Sequence, residues 1–434
     1  MFLTVVLATL MGAVVMVGRG YAADEPQPLV SITEDDTAAP KVIFDIDRTP
    51  RTPFEIMPNV SVGAELRFDI KYAENLDLDN SAGDVFGVFE PRPEFYLSID
   101  PDQQTQIFLR LKITDQLPLT ADAEGEAAPV NADVQEIYLA LRDVWEGTTL
   151  QIGRQKTRDP REWLFNQAFN SLRVYWRNNP FAVQAFVGTI GPFFPERLRR
   201  DLELDSINYF VGAYFAPEEN SQVGAYGFFL DDLTEDNNSP YFLGVQASGE
   251  TDFRLGYWLD AAHVGGHDGD LDIDGYGVDA GLFYTVDVPI RLTLIGGYAY
   301  GSSDFRQTGF QENKYRFRGV TNFQVYGELF NPELSNMAIT TAGIGVRPTA
   351  NSSIDLVYHH YRQVTASDEI RSSSLSVSPN GVSTDLGDEL DLVLGSRDIE
   401  NLVVKIVGSV FFPGSAFPGA DNAYFMGFEA KYTF

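Results

Sequence analysis

Tyr424-Phe-Met-Gly-Phe-Glu-Ala-Lys-Tyr-Thr-Phe434, the last eleven residues of the chain, alternates with a period of two. Tyr424, Met426, Phe428, Ala430, Tyr432 and Phe434 fall on one face, and Gly427, Glu429, Lys431 and Thr433 on the other. Successive strand side chains point to opposite faces, so this is a strand with apolar surroundings on one side and water on the other. In hydrocarbon every backbone polar group needs a partner within the protein, which for strands means a closed barrel.

The same alternation recurs from Val62 onward. Leu66, Phe68, Ile70 and Tyr72 oppose Glu65, Arg67, Asp69 and Lys71; Ile107, Leu109, Leu111 and Ile113 oppose Phe108, Arg110, Lys112 and Thr114; Leu402, Val404 and Ile406 oppose Val403, Lys405 and Val407. Links between these segments alternate in length. Tight ones fall near 100–103, 144–147, 178–180, 216–221, 249–251, 287–288, 349–351 and 397–400; longer ones fall near 73–88, 115–130, 157–169, 191–204, 232–239, 263–272, 303–335, 366–387 and 413–420. Eight short and nine long links join eighteen antiparallel strands, an all-β transmembrane barrel with periplasmic termini, short inner turns and long outer loops. The segment Val320 to Leu329 also alternates, but counting it would make the number odd, so it belongs to the seventh long loop.

Residues 1–22 read as a secretory signal peptide: an apolar stretch over 2–18 precedes Gly20-Tyr21-Ala22-Ala23, although the usual basic start is missing. Residues 23–60, with Asp24-Glu-Pro-Gln-Pro28 and Arg48-Thr-Pro-Arg-Thr-Pro53, read as a periplasmic lead-in with little regular structure, and 61–434 as the barrel. No other stretch has the roughly 18 consecutive apolar residues of a membrane helix. Zero cysteines exclude disulfides and thiolate metal sites, and 62 acidic against 31 basic residues argue against nucleic acid.

The basic residues are not spread evenly. On the face opposite the apolar one lie Arg67, Lys71, Arg92, Arg110, Lys112, Arg142, Arg173, Arg177, Arg254, Arg291, Lys405 and Lys431, outnumbering Glu65, Asp69, Glu94, Glu136, Asp260, Asp279, Asp355 and Glu429. That reverses the acidic excess of the whole chain and puts the negative charge in loops and turns. Such a lumen suits weak, repeated contact with anionic groups, and arginine matches carboxylate in two-pronged geometry. The alternative is that these groups form cross-strand ladders that stiffen the wall. In the seventh loop Arg306, Lys314, Arg316 and Arg318 face Glu312 alone, on a link long enough to fold into the bore as a constriction; the alternative is contact with anionic lipopolysaccharide.

Other patterns are weaker. Asp270, Asp272 and Asp274 precede Gly275 like half of a calcium loop, but the twelfth position is Gly281, so a solvated acidic loop over 263–275 is the better reading. His359 and His360 are adjacent on a strand and face opposite ways, so they do not share a metal. No Gly-x-Ser-x-Gly elbow occurs, and no cofactor is expected.

With an aromatic last residue on its apolar face, the final strand resembles the terminal strand of bacterial outer-membrane barrels, which the insertion machinery receives. Several motifs resemble one family of these, the alginate export barrels: Gly153-Arg-Gln-Lys156 with Arg161-Glu-Trp163, Gln307-Thr-Gly-Phe310, Gly327-Glu328 with Glu333-Leu-Ser-Asn336, Leu356-Val-Tyr-His359, Leu386-Gly-Asp-Glu-Leu-Asp-Leu-Val393 and Phe412-Pro-Gly414. The resemblance implies an eighteen-stranded pore with a basic lining that carries an anionic uronate polymer out of the periplasm. Arg67, Arg92, Lys156, Lys314 and Lys405 fall where that lining is expected, and Glu196 and Asp201 where its constriction acids are. Gln135 and Val407 depart from the pattern, standing where basic residues are expected. The expectation is a monomeric export channel fed by a periplasmic delivery protein; its rivals are a small-solute porin and an outer-membrane hydrolase or polymer-modifying enzyme.

Overall fold

The computed structural model describes residues 52–434 except 82–83, 103, 124–129, 192–204 and 219–220. The expected signal peptide and most of the lead-in lie outside the described residues. Every regular element described is a strand. Eighteen form the wall: β1 Val60–Glu74, β2 Val85–Ile99, β3 Thr105–Thr114, β4 Asn131–Leu141, β5 Thr148–Arg158, β6 Asn166–Asn178, β7 Phe181–Thr189, β8 Ser206–Glu218, β9 Ser221–Asp232, β10 Asn238–Glu250, β11 Leu255–Asp268, β12 Leu271–Thr285, β13 Thr293–Gly301, β14 Met337–Val346, β15 Ser352–Gln363, β16 Asp385–Ser396, β17 Leu402–Pro413 and β18 Ala423–Thr433. Each pairs antiparallel with the next, and β18 closes on β1 in the register Lys431↔Arg67, Glu429↔Asp69 and Tyr432↔Leu66.

Closure explains how so many aromatic and aliphatic side chains stand exposed without a helix to cover them. Phe68, Ile70, Tyr72, Leu243, Leu282, Ile406, Met426 and Phe428 all point out. A barrel has no free edge, so its backbone is satisfied while its apolar face meets lipid. Inside, large rings lie flat over glycines of the neighbouring strand. A Cβ on Gly256 would stand 1.9 Å from Phe283 Cζ, and one on Gly281 would stand 2.1 Å from Trp258 Cζ2, so only glycine lets those rings reach the wall.

Two expectations change. Residues 263–272 are not a long loop: β11 and β12 run out to Asp268 and Leu271 and turn at 269–270. Their outer ends are extended past the apolar band, where exposed aspartates and histidines pair across the strands, His263 Nε2 with Asp274 at 2.8 Å and His267 Nδ1 with Asp272 at 2.9 Å. Asp and Gly there read as loop because a solvated strand end needs no apolar alternation. The lead-in is also more regular than expected, since Phe54–Met57 forms a short strand that folds back on Val60–Val62.

Candidate export lumen

Two long-link segments fold inward, and together they decide which part of the wall meets water. The first is 159–165, between β5 and β6. Asp159 accepts backbone hydrogen bonds from Trp163, Leu164 and Phe165 at 3.1, 2.9 and 2.8 Å, which curls the link and aims Phe165 at the wall. The Phe165 ring packs against Phe169, Phe186, Phe210 and Phe228 with centroids 5.1–5.9 Å away. Such edge-on aromatic contacts add about 0.5–1.5 kcal/mol each beyond burial.

The second segment is the loop over 302–336, between β13 and β14. It enters the bore as expected and carries a two-residue hairpin, Lys314–Tyr315 against Phe323–Gln324. Phe305, Tyr315, Phe317, Val320, Phe323, Tyr326, Leu329, Phe330 and Leu334 are all buried, so this loop is a plug with its own apolar core. Polar ties fix it along β10–β17. Tyr326 donates to Asp279 at 3.0 Å and accepts from the Trp163 indole at 2.9 Å. The Leu329 and Phe330 amides donate to Glu389 at 2.7 and 2.9 Å, and Lys405 pairs with Glu328 at 2.6 Å. Near the short-link end, Arg347 donates to the carbonyls of Arg318 and Phe317 at 2.7 and 2.8 Å while pairing with Asp355 at 2.9 Å, and Arg318 pairs with Glu250. The plug therefore runs from the long-link end to the short-link end of the barrel.

Arg161 ties both segments to the wall. Its guanidinium bridges Asp260 and Asp279 at 2.9 Å each and lies 4.9 Å from the Trp258 ring centroid. Two buried carboxylates held by one planar five-donor cation are tolerable where either alone would be costly.

The consequence is a lumen with a dry side and a wet side. Under the plug, His359 and Glu389 are 0% exposed. On β18 and β1–β3, by contrast, the side chains of Lys71 and Arg67 keep 49% and 32% of their exposure. The registers set the charged residues of this wall in rows: Glu65 and Glu94 with Lys112, then the bases Lys431, Arg67 and Arg92, then the acids Glu429, Asp69 and Glu90; the carboxylates of Glu65, Asp69, Glu90 and Glu94 are buried beneath the bases. Neighbouring rows are two residues apart, roughly 7 Å along the strand. Arg67 bonds Asp69 at 3.1 Å and Glu429 at 2.6 Å; Arg92 also bonds Asp69, and Arg110 holds Glu94 at 2.7 Å and reaches Glu136 at 3.4 Å.

The predicted basic residues thus separate. Arg67, Arg92, Arg110 and Lys112 come together on the wet wall. Lys156 sits farther along β5, near Glu162 and Glu312, and Lys314 pairs with Glu312 in the plug. Burial pushes the Glu162 carboxyl above the usual glutamate range against the pull of Arg158, 3.0 Å away; at Glu312, whose side chain stays 42% exposed, partial desolvation is outweighed by Lys314 and Lys156, which bring it below that range. Lys405 faces in but is spent on Glu328.

Two expectations fail on geometry. Arg173 is 2% exposed, wedged against the Tyr175 and Phe186 rings with a bond to the Lys156 carbonyl, so it is wall and not water-facing lining. Arg254 stands in the turn between β10 and β11 with φ of 66° and pairs with Asp287 at 2.6 Å, outside the bore. In the seventh long loop Arg306 pairs with Asp268 and Arg318 with Glu250, both on wall strands, in keeping with the expected fold of this loop into the bore. Arg177, at the end of β6, donates to Asn179 at 3.0 Å at the short-link rim. Glu196 and Asp201 lie outside the described residues. Glu162, Glu312 and Arg161 are site residues that face counting missed; Arg161 and Glu162 stand within the Arg161-Glu-Trp163 motif.

Comparison with known proteins fits this geometry. Residues 59–426 match the family model described as alginate export. The chain belongs to the alginate export family. It is 24% identical over 384 residues to the alginate production protein AlgE of Pseudomonas aeruginosa, covering 71% of this chain and 77% of that one. It is 24% identical over 453 residues to the same-named protein of Azotobacter vinelandii, covering 84% and 91%. Among solved structures, Pseudomonas aeruginosa OccK5 (OpdH) superposes with a TM-score of 0.60 at 10% identity, covering 88% of this chain and 99% of that one. For OpdQ of the same organism the TM-score is 0.57 at 11% identity, covering 87% and 99%. This alginate export family member is an integral outer-membrane barrel of eighteen strands, and its class is transport.

Proposed function

We propose that the barrel exports an anionic polyuronate of the alginate type, which diffuses from the periplasm along the wet wall of β18 and β1–β5 while the plug keeps the opposite wall dry. The carrying observation is the contrast between those two walls. Where the plug lies, carboxylates such as Glu389 are consumed by backbone amides; where it does not, Lys71, Arg67 and Glu429 reach water. The exposed Lys71 ammonium makes only a loose 3.5 Å pair with Glu90, and solvent-exposed pairs contribute about 0–1 kcal/mol, so a passing carboxylate competes there at little cost. Weak exchange of this kind favours entry without trapping. No bond is made or broken in this process.

Family membership and the two alginate production relatives support the substrate class. A periplasmic protein that delivers the polymer to the short-link end, and the insertion machinery that receives β18, are the partners this reading implies.

Single-channel recording in planar bilayers tests it. Oligomers of mannuronate or galacturonate are expected to interrupt an anion-preferring current, with neutral dextran of equal length having much less effect. A cation-preferring current indifferent to uronates would replace this reading with a small-solute porin.

A further inference from the structure

We propose that Lys112, rather than the guanidiniums around it, is the group that takes the carboxylates of the passing polymer. This inference rests on the export reading above. Its neighbours already have carboxylates: Asp69 holds Arg67 and Arg92, Glu429 holds Arg67, and Glu94 holds Arg110 while accepting the Tyr96 hydroxyl at 2.7 Å. Lys112 faces the field of Arg92, Glu94, Arg110 and Arg67, yet no carboxylate of the described residues lies within ion-pair distance of its ammonium. Across β3–β4 the residue opposite it is Asp133, and that carboxylate is engaged instead by the Gln135 amide at 2.6 Å and approached by Arg154 at 3.8 Å.

The reason is local backbone geometry. The β3–β4 register slips between Arg110 and Leu111, so that Arg110 opposes Glu136 while Leu111 opposes Val134. Gln135 is the extra residue of this bulge, and bulges re-aim side chains on the strand that carries them. Here the Gln135 amide reaches Asp133 and leaves Lys112 without that partner. The bulge at Gln135 thus leaves the unpaired ammonium on β3.

Lysine suits the task. Its ammonium is a compact hydrated charge on a flexible four-carbon stem, able to follow a moving carboxylate, whereas each neighbouring guanidinium must break a two-pronged contact first. Lys112 is half-buried and shares its face of the wall with Glu94, directly opposite on β2.

The test is block of single-channel current by galacturonate oligomers added on the short-link side, measured for wild type, Lys112→Met, Lys112→Arg and Arg92→Gln. Heat-modifiable migration verifies that each barrel has formed, and neutral dextran reports pore size alone. Lys112→Met is expected to raise the half-blocking concentration about tenfold, the loss of one charge-assisted contact, with dextran unaffected. Lys112→Arg restores block to within about twofold, and Arg92→Gln shifts it less than Lys112→Met does. Should Lys112→Met not assemble, Lys112→Gln carries the same comparison. Unchanged block in the neutral variant, or a larger effect from Arg92→Gln, overturns the assignment to Lys112. Absence of block in wild type overturns the export reading itself.

Discussion

Lys405 of the wall and Glu328 of the plug meet at 2.6 Å, with 15% and 7% of their side chains exposed. This pair couples β17 to a residue 77 positions earlier in the chain, in the loop that leaves the end of β13. It makes Lys405 a fastener of the plug although it stands where a lining residue was expected.

Replacing Lys405 with Met is therefore expected to open the pore rather than merely alter its selectivity. Truncating one partner of a buried pair strands the other and costs about 3–5 kcal/mol. Single-channel conductance should rise and become noisy, and Lys405→Met combined with Glu328→Gln should recover quiet closure. A Lys405→Met channel with wild-type conductance and noise would show that the pair does not hold the plug.

Arg161→Met leaves Asp260 and Asp279 buried beside each other without their shared cation. The expected loss is again about 3–5 kcal/mol, felt where 159–165 and 302–336 meet the wall. Protease added to reconstituted protein should cut within 302–336 in the variant and not in wild type, while the barrel itself still resists heat and detergent.

On the outer surface Ile406 and Leu109 point away from the bore, and Ile406 is 42% exposed. Either one changed to Arg should lower assembly stability by about 2–4 kcal/mol near the bilayer midplane. Urea titration of folding into lipid vesicles measures this. An equally large loss for Lys112→Met, which faces water, would contradict the assignment of faces.

Gly281→Val is expected to block correct wall formation. The added side chain must displace the Trp258 ring and the Gly296 carbonyl, which a Cβ at that position would approach to 2.1 and 2.5 Å. Overpacking of this kind costs about 1–3 kcal/mol. Heat-modifiable migration should reveal a smaller folded fraction; full assembly would show that the ring has room to move.

Acidification should make the current more anion-selective. Burial raises the Glu162 pKa above the ordinary glutamate value, so falling pH protonates it before exposed carboxylates. The change leaves Lys156, Arg158 and Lys314 with less opposing charge. Reversal potentials in a salt gradient read this directly, and Glu162→Gln should show the acid-like selectivity at neutral pH and lose the pH step.

The architecture was legible because one constraint operates everywhere: lipid on one side and water on the other write a period of two into each wall strand, and long links write the topology. Val320 to Leu329 lies in the inserted loop, as the even strand count required. Depth is what the period does not record. Arg67 and Arg173 share the same inward phase, yet one reaches water and the other lies against the Tyr175 and Phe186 rings of the wall, because cover depends on the size of neighbouring inward side chains and not on phase. Arg254 shows a second limit: at a strand end, a left-handed turn residue continues the alternation by chance. The solvated ends of β11 and β12 show a third, since a strand beyond the membrane carries no apolar face to reveal it.

The plug hangs by its two stems from the long-link rim, while its far tip is stitched by Arg347 and Arg318 near the opposite opening. An object arriving from the cell interior presses on the stitched tip; one arriving from outside presses on the stems. The two directions thus load different joints, which makes the insert mechanically lopsided even though the surrounding cylinder is nearly regular.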